Sequence, residues 1–336
     1  MTATPLISPD DVVLGQKPGI SGRGLARMRR QKARVDREAG FDRGIVSNTD
    51  WRRSTVRFPL GGVQLLLLVL LVIAGLLPVL WLMKAAFTPT QDTLTQPLAI
   101  FPHGITLTNL AQAFGINIKI QDYFLNTIWV AAGSWLVQIV VATTGGYALS
   151  VLRPKYAKVV TGLVIATLFL PAIVLLIPLY LTILHPLGFG GSLLNTFWAV
   201  WLPSGASAFN VVLVMRFFDS LPREIFEAAE TDGAGPFRLF WSVVLPMSKP
   251  VIGVVTVFAI INSWKDFLWP NLVLPGGSDP ASVQPLSVRL PAIQGTTELG
   301  PFLASLAIAT LIPIILFLVF QRTFLSGGGF GGAVKG

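Results

Sequence analysis

Apolar and polar residues along this chain come in long blocks instead of alternating. Residues 1–58 are polar, rich in Gly and Arg, and carry no sustained apolar period, which predicts a largely disordered segment apart from a helix-compatible stretch from Leu25 to Ala39. A signal peptide would place a short apolar run near the start, whereas here the first begins only at Leu60, so that run is expected to stay as an anchor. From Leu60 to Met83 no residue is charged, and at ~1.5 Å per residue this helix is about 36 Å long, enough to cross a ~30 Å hydrocarbon layer with some tilt. Five further runs meet the same criterion: Tyr123–Leu152, Val159–Leu184, Leu193–Met215, Val251–Pro270 and Phe302–Phe320. Each must be helical, because backbone amides in lipid find partners only within their own segment. Prolines 78, 171, 178, 203 and 313 remove amide donors inside these runs and should kink them. The predicted fold is an all-α integral membrane protein with six transmembrane helices over residues 59–325, followed by a Gly-rich tail, 326–336.

Composition fits that pattern: 53% hydrophobic against 12% charged residues is more apolar surface than a water-soluble chain can hide. The net charge of +9 alone would suggest nucleic acid, but the basic residues lie between the apolar runs instead of on one folded face. They concentrate in the N-terminal segment, at Arg153, Lys155 and Lys158, between Arg216 and Lys249, and in the tail, whereas the alternate loops hold only Lys84, Lys119 and Arg289. By the positive-inside rule both termini are cytoplasmic, which independently requires an even number of spans. Two histidines, His103 and His185, and no cysteine leave no ligand set for a metal. A phosphate-binding G-x-x-x-x-G-K-[ST] loop is also missing, so any use of ATP has to come from a partner.

One cytoplasmic loop is more than a connector: LPREIFEAAETDGAGPFRLFWSVVLPMSKP, residues 221–250. Pro222 suits a first helical turn, Glu224 complements the positive end of a helix, and Ile225, Phe226, Ala228 and Ala229 supply an apolar stripe. Asp232 and Gly233 should stop this helix, since Gly233 takes a positive φ without steric cost and lets the chain reverse. Pro236 should then open a second helix that ends before Pro246. A short amphipathic helix with small alanines can slot into a cleft on another protein, with Glu227 free to pair with a basic residue there; the alternative is an interfacial helix pair lying on lipid headgroups.

Glu227-Ala228-Ala229, then Asp232-Gly233-Ala234, then Leu245-Pro246, resembles the EAA loop of ABC importer permeases. NSWKDFLWPNLVL at 262–274 and FQRTFLSGGGFGGAVKG at 320–336 resemble the carbohydrate-uptake branch and its maltose-type inner permeases. The similarity runs through most of residues 60–336; the N-terminal segment is longer than in that family, and Lys265 stands where the family usually has Asn. The resemblance implies a type I importer permease in the bacterial inner membrane, with no catalytic site and no cofactor of its own. A second permease subunit would complete the pathway, an extracytoplasmic binding protein would deliver solute, and two ATPase subunits with ATP and Mg would grip the EAA loops.

Within the spans, Asn126, Asn195, Asn210 and Asn262 can hydrogen-bond sugar hydroxyls or one another's helices. Trp201 and Trp264, with Trp198 and Trp269, can stack on sugar faces or form an aromatic belt at the membrane boundary. The only intramembrane charges are Lys265 and Asp266, too few for a polyamine path. Lys265 can instead snorkel to the outer boundary or meet a phosphate, which leaves a glycerophosphodiester as an alternative to a neutral sugar. An ion-coupled secondary transporter would need a protonatable or unwound midplane site, and a membrane enzyme a nucleophile or metal constellation; neither is visible in the sequence.

Overall fold

The computed structural model describes residues 54–99, 104–186 and 190–327, with backbone alone at 54–57, 316, 317 and 319–327. The expected disordered segment up to residue 53, His103 and the tail beyond residue 327 lie outside the described residues. All regular structure among the described residues is helical. The chain divides into two compact units, residues 1–76 and 77–336. Of helix α1, Ser54–Ala86, the part up to Leu76 belongs to the first unit; the features discussed below belong to the second. Helix α1 starts six residues before the predicted Leu60 and runs through Pro59.

Two short helices, α2 (Thr90–Thr95) and α3 (Thr108–Phe114), lead into α4, which runs from Ile120 to Leu152 and closes on a π-helical turn at Ala148–Leu152. Helices α1 and α4 are each long and apolar enough to cross a membrane by themselves. Three other predicted spans are broken instead of straight.

The stretch from 157 to 184 consists of α5 (Ala157–Thr167) and α6 (Ala172–Leu184), bent by 108°. Pro171 explains the break: it has no amide hydrogen, its own backbone is extended (ψ 129°), and a proline disfavours helical geometry in the residue before it. Between 198 and 219, α7 (Trp198–Ser204) and α8 (Ala208–Asp219) meet at 42°. There Ser207 caps α8 by accepting the amide hydrogen of Asn210, and Asn195, predicted to be helical, is in the left-handed region at φ +58°.

The predicted Val251–Pro270 span is in fact α11 (Lys249–Lys265), a break at Asp266 and Phe267, and a short α12 (Leu268–Val273). Helix α13 (Leu286–Ile293) follows, and α14 (Leu299–Gly327) covers the last predicted span.

Helix α4 is the common support, packing against α7, α8, α11 and α13. Lipid tails are as apolar as leucine, so these contacts rest on close packing and interhelical hydrogen bonds more than on burial from water. Trp135 Nε1 donates to Thr256 Oγ1 at 2.9 Å and joins α4 to α11. Asn210 Nδ2 donates to Gln138 Oε1 at 2.7 Å and joins α8 to α4. The Leu286 amide donates to Thr127 Oγ1 at 2.8 Å, fixing the start of α13 on α4.

Candidate functional site

The 221–250 loop folds into α9 (Arg223–Thr231) and α10 (Pro236–Met247). Pro222 precedes α9 and Glu224 lies in its first turn. The helix ends in a Schellman turn: the Gly233 amide donates to Glu230 O and the Ala234 amide to Ala229 O, both at 2.9 Å, with Gly233 at φ +78°. No side chain of α9 is fully buried. Ile225, Phe226 and Ala229 are half-buried, and Phe226 and Ala229 pack on a core cluster that contains Phe218, Leu239 and Phe240. Glu227, Ala228, Asp232 and Gly233 are exposed, and Ala234 is half-buried in the turn. An amphipathic helix held along one face and bare along the other can be received by a second protein without refolding.

The second helix does not end before Pro246, as its sequence suggests, but continues to Met247 and then bends by 76° into α11. A π turn over Phe240–Val244 makes this possible: the Leu245 amide bonds five residues back to Phe240 O, and the widened turn accommodates the ring of Pro246. Leu245 is half-buried against the same core and Pro246 is exposed.

This loop is anchored to α4 and α8. Tyr147 Oη donates to Pro236 O at 2.7 Å. Asp219 accepts from Ser150 Oγ at 2.8 Å and pairs with Arg153 at 2.9 Å and with Arg216 at 3.8 Å. Arg153, Asp219, Arg223, Phe226, Glu227 and Glu230 border a cleft of 190 Å³ under α9. Sequence reasoning missed Tyr147, Ser150 and Asp219 because their partners, Pro236 for Tyr147 and each other for Ser150 and Asp219, are distant in sequence and meet only when the helices pack.

A second feature is a cavity of 660 Å³ between α4, α6, α7, α11 and α12. Its apolar wall includes Val130, Leu179, Val200 and Pro203, and its polar side chains are Ser134, Gln138, Ser204, Asn262, Ser263, Lys265 and Asp266. Of the six pathway candidates, the structure brings only Asn262 to this cavity. Asn126 donates to Ala281 O at 2.8 Å and to Gln284 O at 3.1 Å, bracing the chain before α13. Asn195 Oδ1 accepts the Gly276 amide hydrogen at 2.8 Å, and Asn210 donates through Nδ2 to Gln138 while its buried Oδ1 has no partner. Trp201 Nε1 donates to Trp129 O at 3.0 Å, and its ring lies so close to α4 that Gly133 leaves no room for a Cβ. Trp264 sits edge-on to Phe124, with ring centroids 6.3 Å apart. Ser134, Gln138 and Ser204 gave no signal in sequence, being ordinary small or amide residues in apolar runs.

Residues 142–326 match the family described as binding-protein-dependent transport system inner membrane component. The chain is 30% identical over 267 residues to the sulfoquinovosyl glycerol transport system permease protein SmoH of Agrobacterium fabrum, covering 78% of this chain and 90% of that protein. It is 29% identical to the arabinooligosaccharides transport system permease protein AraQ of Halalkalibacterium halodurans, covering 77% and 91%. The crystal structure of a bacterial ABC transporter involved in the import of the acidic polysaccharide alginate contains a chain of the same fold, with TM-score 0.68, 21% identity, and coverage of 83% of this chain and 99% of that one. With more than half its length matched, and with its helices arranged like those of an ABC transporter chain, this protein belongs to the inner membrane components of binding-protein-dependent transport systems.

Proposed function

We propose that this chain is one of two permease subunits of an ATP-driven importer for a saccharide or glycoside, and that α9 is the element a separate ATPase grips. The observation that carries the proposal is α9 itself: an amphipathic helix, closed by a glycine turn, braced from behind through Phe226 and Ala229, and bare at Glu227 and Ala228. In this reading Glu227 is the polar anchor in the ATPase cleft. Ala228 and Ala229 allow close approach, Asp232, Gly233 and Ala234 set the turn, and Leu245 and Pro246 seat the second helix. ATP and Mg belong to two ATPase subunits, and an extracytoplasmic binding protein presents the solute. The relatives named for sulfoquinovosyl glycerol and arabinooligosaccharide transport support a carbohydrate solute.

Coupling needs an element that reaches both features, and α4 does: Ser134 and Gln138 line the cavity, Tyr147 holds the loop at Pro236, and Ser150 holds Asp219 at the end of α8 just before it. Gln138 and Tyr147 are separated by about 14 Å along the helix at ~1.5 Å per residue. ATP binding would shift the population of permease conformations through docked α9, in proportion to its differential contacts with each.

The same reading places six spans in the membrane, with the loop and both termini cytoplasmic. The chain has no cysteine, so one introduced at Glu230→Cys can be labelled without background. A membrane-impermeant maleimide should label it in inverted vesicles and not in right-side-out ones; labelling from outside would overturn topology, docking and import direction together.

A further inference from the structure

The 660 Å³ cavity lies within the ~300–1,000 Å³ range of small-molecule sites, and its uncommitted polar groups have a definite character. Lys265 reaches it from the last turn of α11 and makes no hydrogen bond or ion pair among the described residues. Its neighbour Asp266 also lines the cavity, and no ion pair joins the two among the described residues. Ser134 is buried at 1% exposure, and its Oγ has no partner. Gln138 spends its carbonyl on Asn210, which leaves its NH₂ group to the cavity. Lys265, Gln138 and Ser134 thus bring an ammonium, an amide NH₂ and a hydroxyl to a cavity walled by Val130, Leu179, Val200 and Pro203, with Asn262 and Ser263 among its other polar side chains. A cation beside apolar walls in a membrane protein is costly unless it meets an anion.

We propose that this cavity holds an anionic group of the transported saccharide, a carboxylate, sulfonate or phosphate, at Lys265, with Ser134 and Gln138 donating to the same group. The inference rests on the saccharide-import reading and narrows it: the solute is an acidic sugar derivative, and selection by charge continues inside the membrane after the binding protein has released its cargo. Ser134 and Gln138, four residues apart, share one face of α4 and line the same cavity as the ammonium brought by α11. Charge-assisted hydrogen bonds of this kind are short and directional, and it is the ammonium that distinguishes an oxyanion from a neutral hydroxyl.

The test uses the complete transporter, with its ATPases, second permease and binding protein, in liposomes of zwitterionic lipid. Uptake is measured for neutral hexosides and for hexuronides, sulfonated hexosides and hexose phosphates. The expected result is uptake of at least one acidic class, lowered about ten-fold or more in Lys265→Met and kept within about three-fold in Lys265→Arg, the loss expected for one hydrogen bond to a charged group. In the purified wild-type chain, the acidic sugar should also protect Lys265 from amine acetylation, read by mass spectrometry, and the neutral sugar should not; this readout does not depend on how the variants fold. Transport confined to neutral sugars, or acidic uptake untouched by Lys265→Met, overturns the inference and leaves saccharide import standing. Protection of Lys265 by anionic lipid in place of sugar assigns the site to a headgroup and likewise overturns it. Failure to carry any saccharide, neutral or acidic, removes the saccharide reading and this inference with it.

Discussion

Gly233 is the position where a single methyl group should separate backbone strain from every other effect. Its φ is +78°, and a Cβ built there meets no atom within 4 Å, so Gly233→Ala introduces no clash. The cost is conformational: an L-residue held in the left-handed region loses about 1–2 kcal/mol relative to glycine. No α9 side chain is fully buried, so the free chain can relieve that strain by opening the turn, whereas a docked ATPase needs it closed. The penalty should therefore appear in docking, as a roughly five- to thirty-fold weaker complex, with little change in the unfolding temperature of the permease. Asn tolerates left-handed geometry, so Gly233→Asn should recover most of the loss although its side chain is larger. Gly233→Pro cannot adopt a positive φ, and it should abolish docking and uptake. Titrating the ATPase onto the solubilised permease pair gives all four constants. Equal affinity for wild type and Gly233→Ala, or Asn performing as badly as Ala, would falsify the claim that the turn's handedness is what the partner reads.

Other outcomes follow from the same geometry. Asn126→Ala strands the Ala281 and Gln284 carbonyls and should cost about 1–3 kcal/mol, lowering the thermal unfolding midpoint while solute preference stays unchanged; Asn262→Ala should do the reverse, altering the apparent KM for uptake with little effect on the midpoint. Asp219→Asn keeps an acceptor for Ser150 and weakens two part-exposed ion pairs, so its destabilisation should stay below about 1 kcal/mol and vanish in 1 M salt. A large loss indifferent to salt would mean that Asp219 does something other than hold Arg153. Glu227→Lys should insert normally and fail to co-purify with the ATPase, while unaltered transport would remove Glu227 as the anchor.

What was legible in the sequence divides along a physical line. Solvent and local backbone rules are written residue by residue: uncharged runs give α1 and α4, and Pro222, Asp232-Gly233 and Pro236 give the limits of α9 and the start of α10. Breaks inside apolar runs are harder to read, because hydropathy ignores direction. The Leu168–Pro171 stretch is as apolar as its flanks, so Pro171 marks a kink in the sequence while the size of the turn, 108°, shows only in the backbone. Pro246 misled for a related reason: proline stops an α-helix, but a π turn upstream moves the carbonyl it would strike.

The pathway candidates failed to converge for a third reason. Asparagines and tryptophans stand out in an apolar sequence, but within lipid a polar side chain must find a partner wherever it sits. Asn126, Asn195 and Asn210 therefore serve the fold, each bonded to backbone or to another buried amide. The groups left without partners mark a site better than the groups that are merely polar. Ser134, unremarkable in sequence, and Lys265, apparently free to snorkel, are two such groups, and only the packing of α4 against α7 and α11 brings them to one cavity.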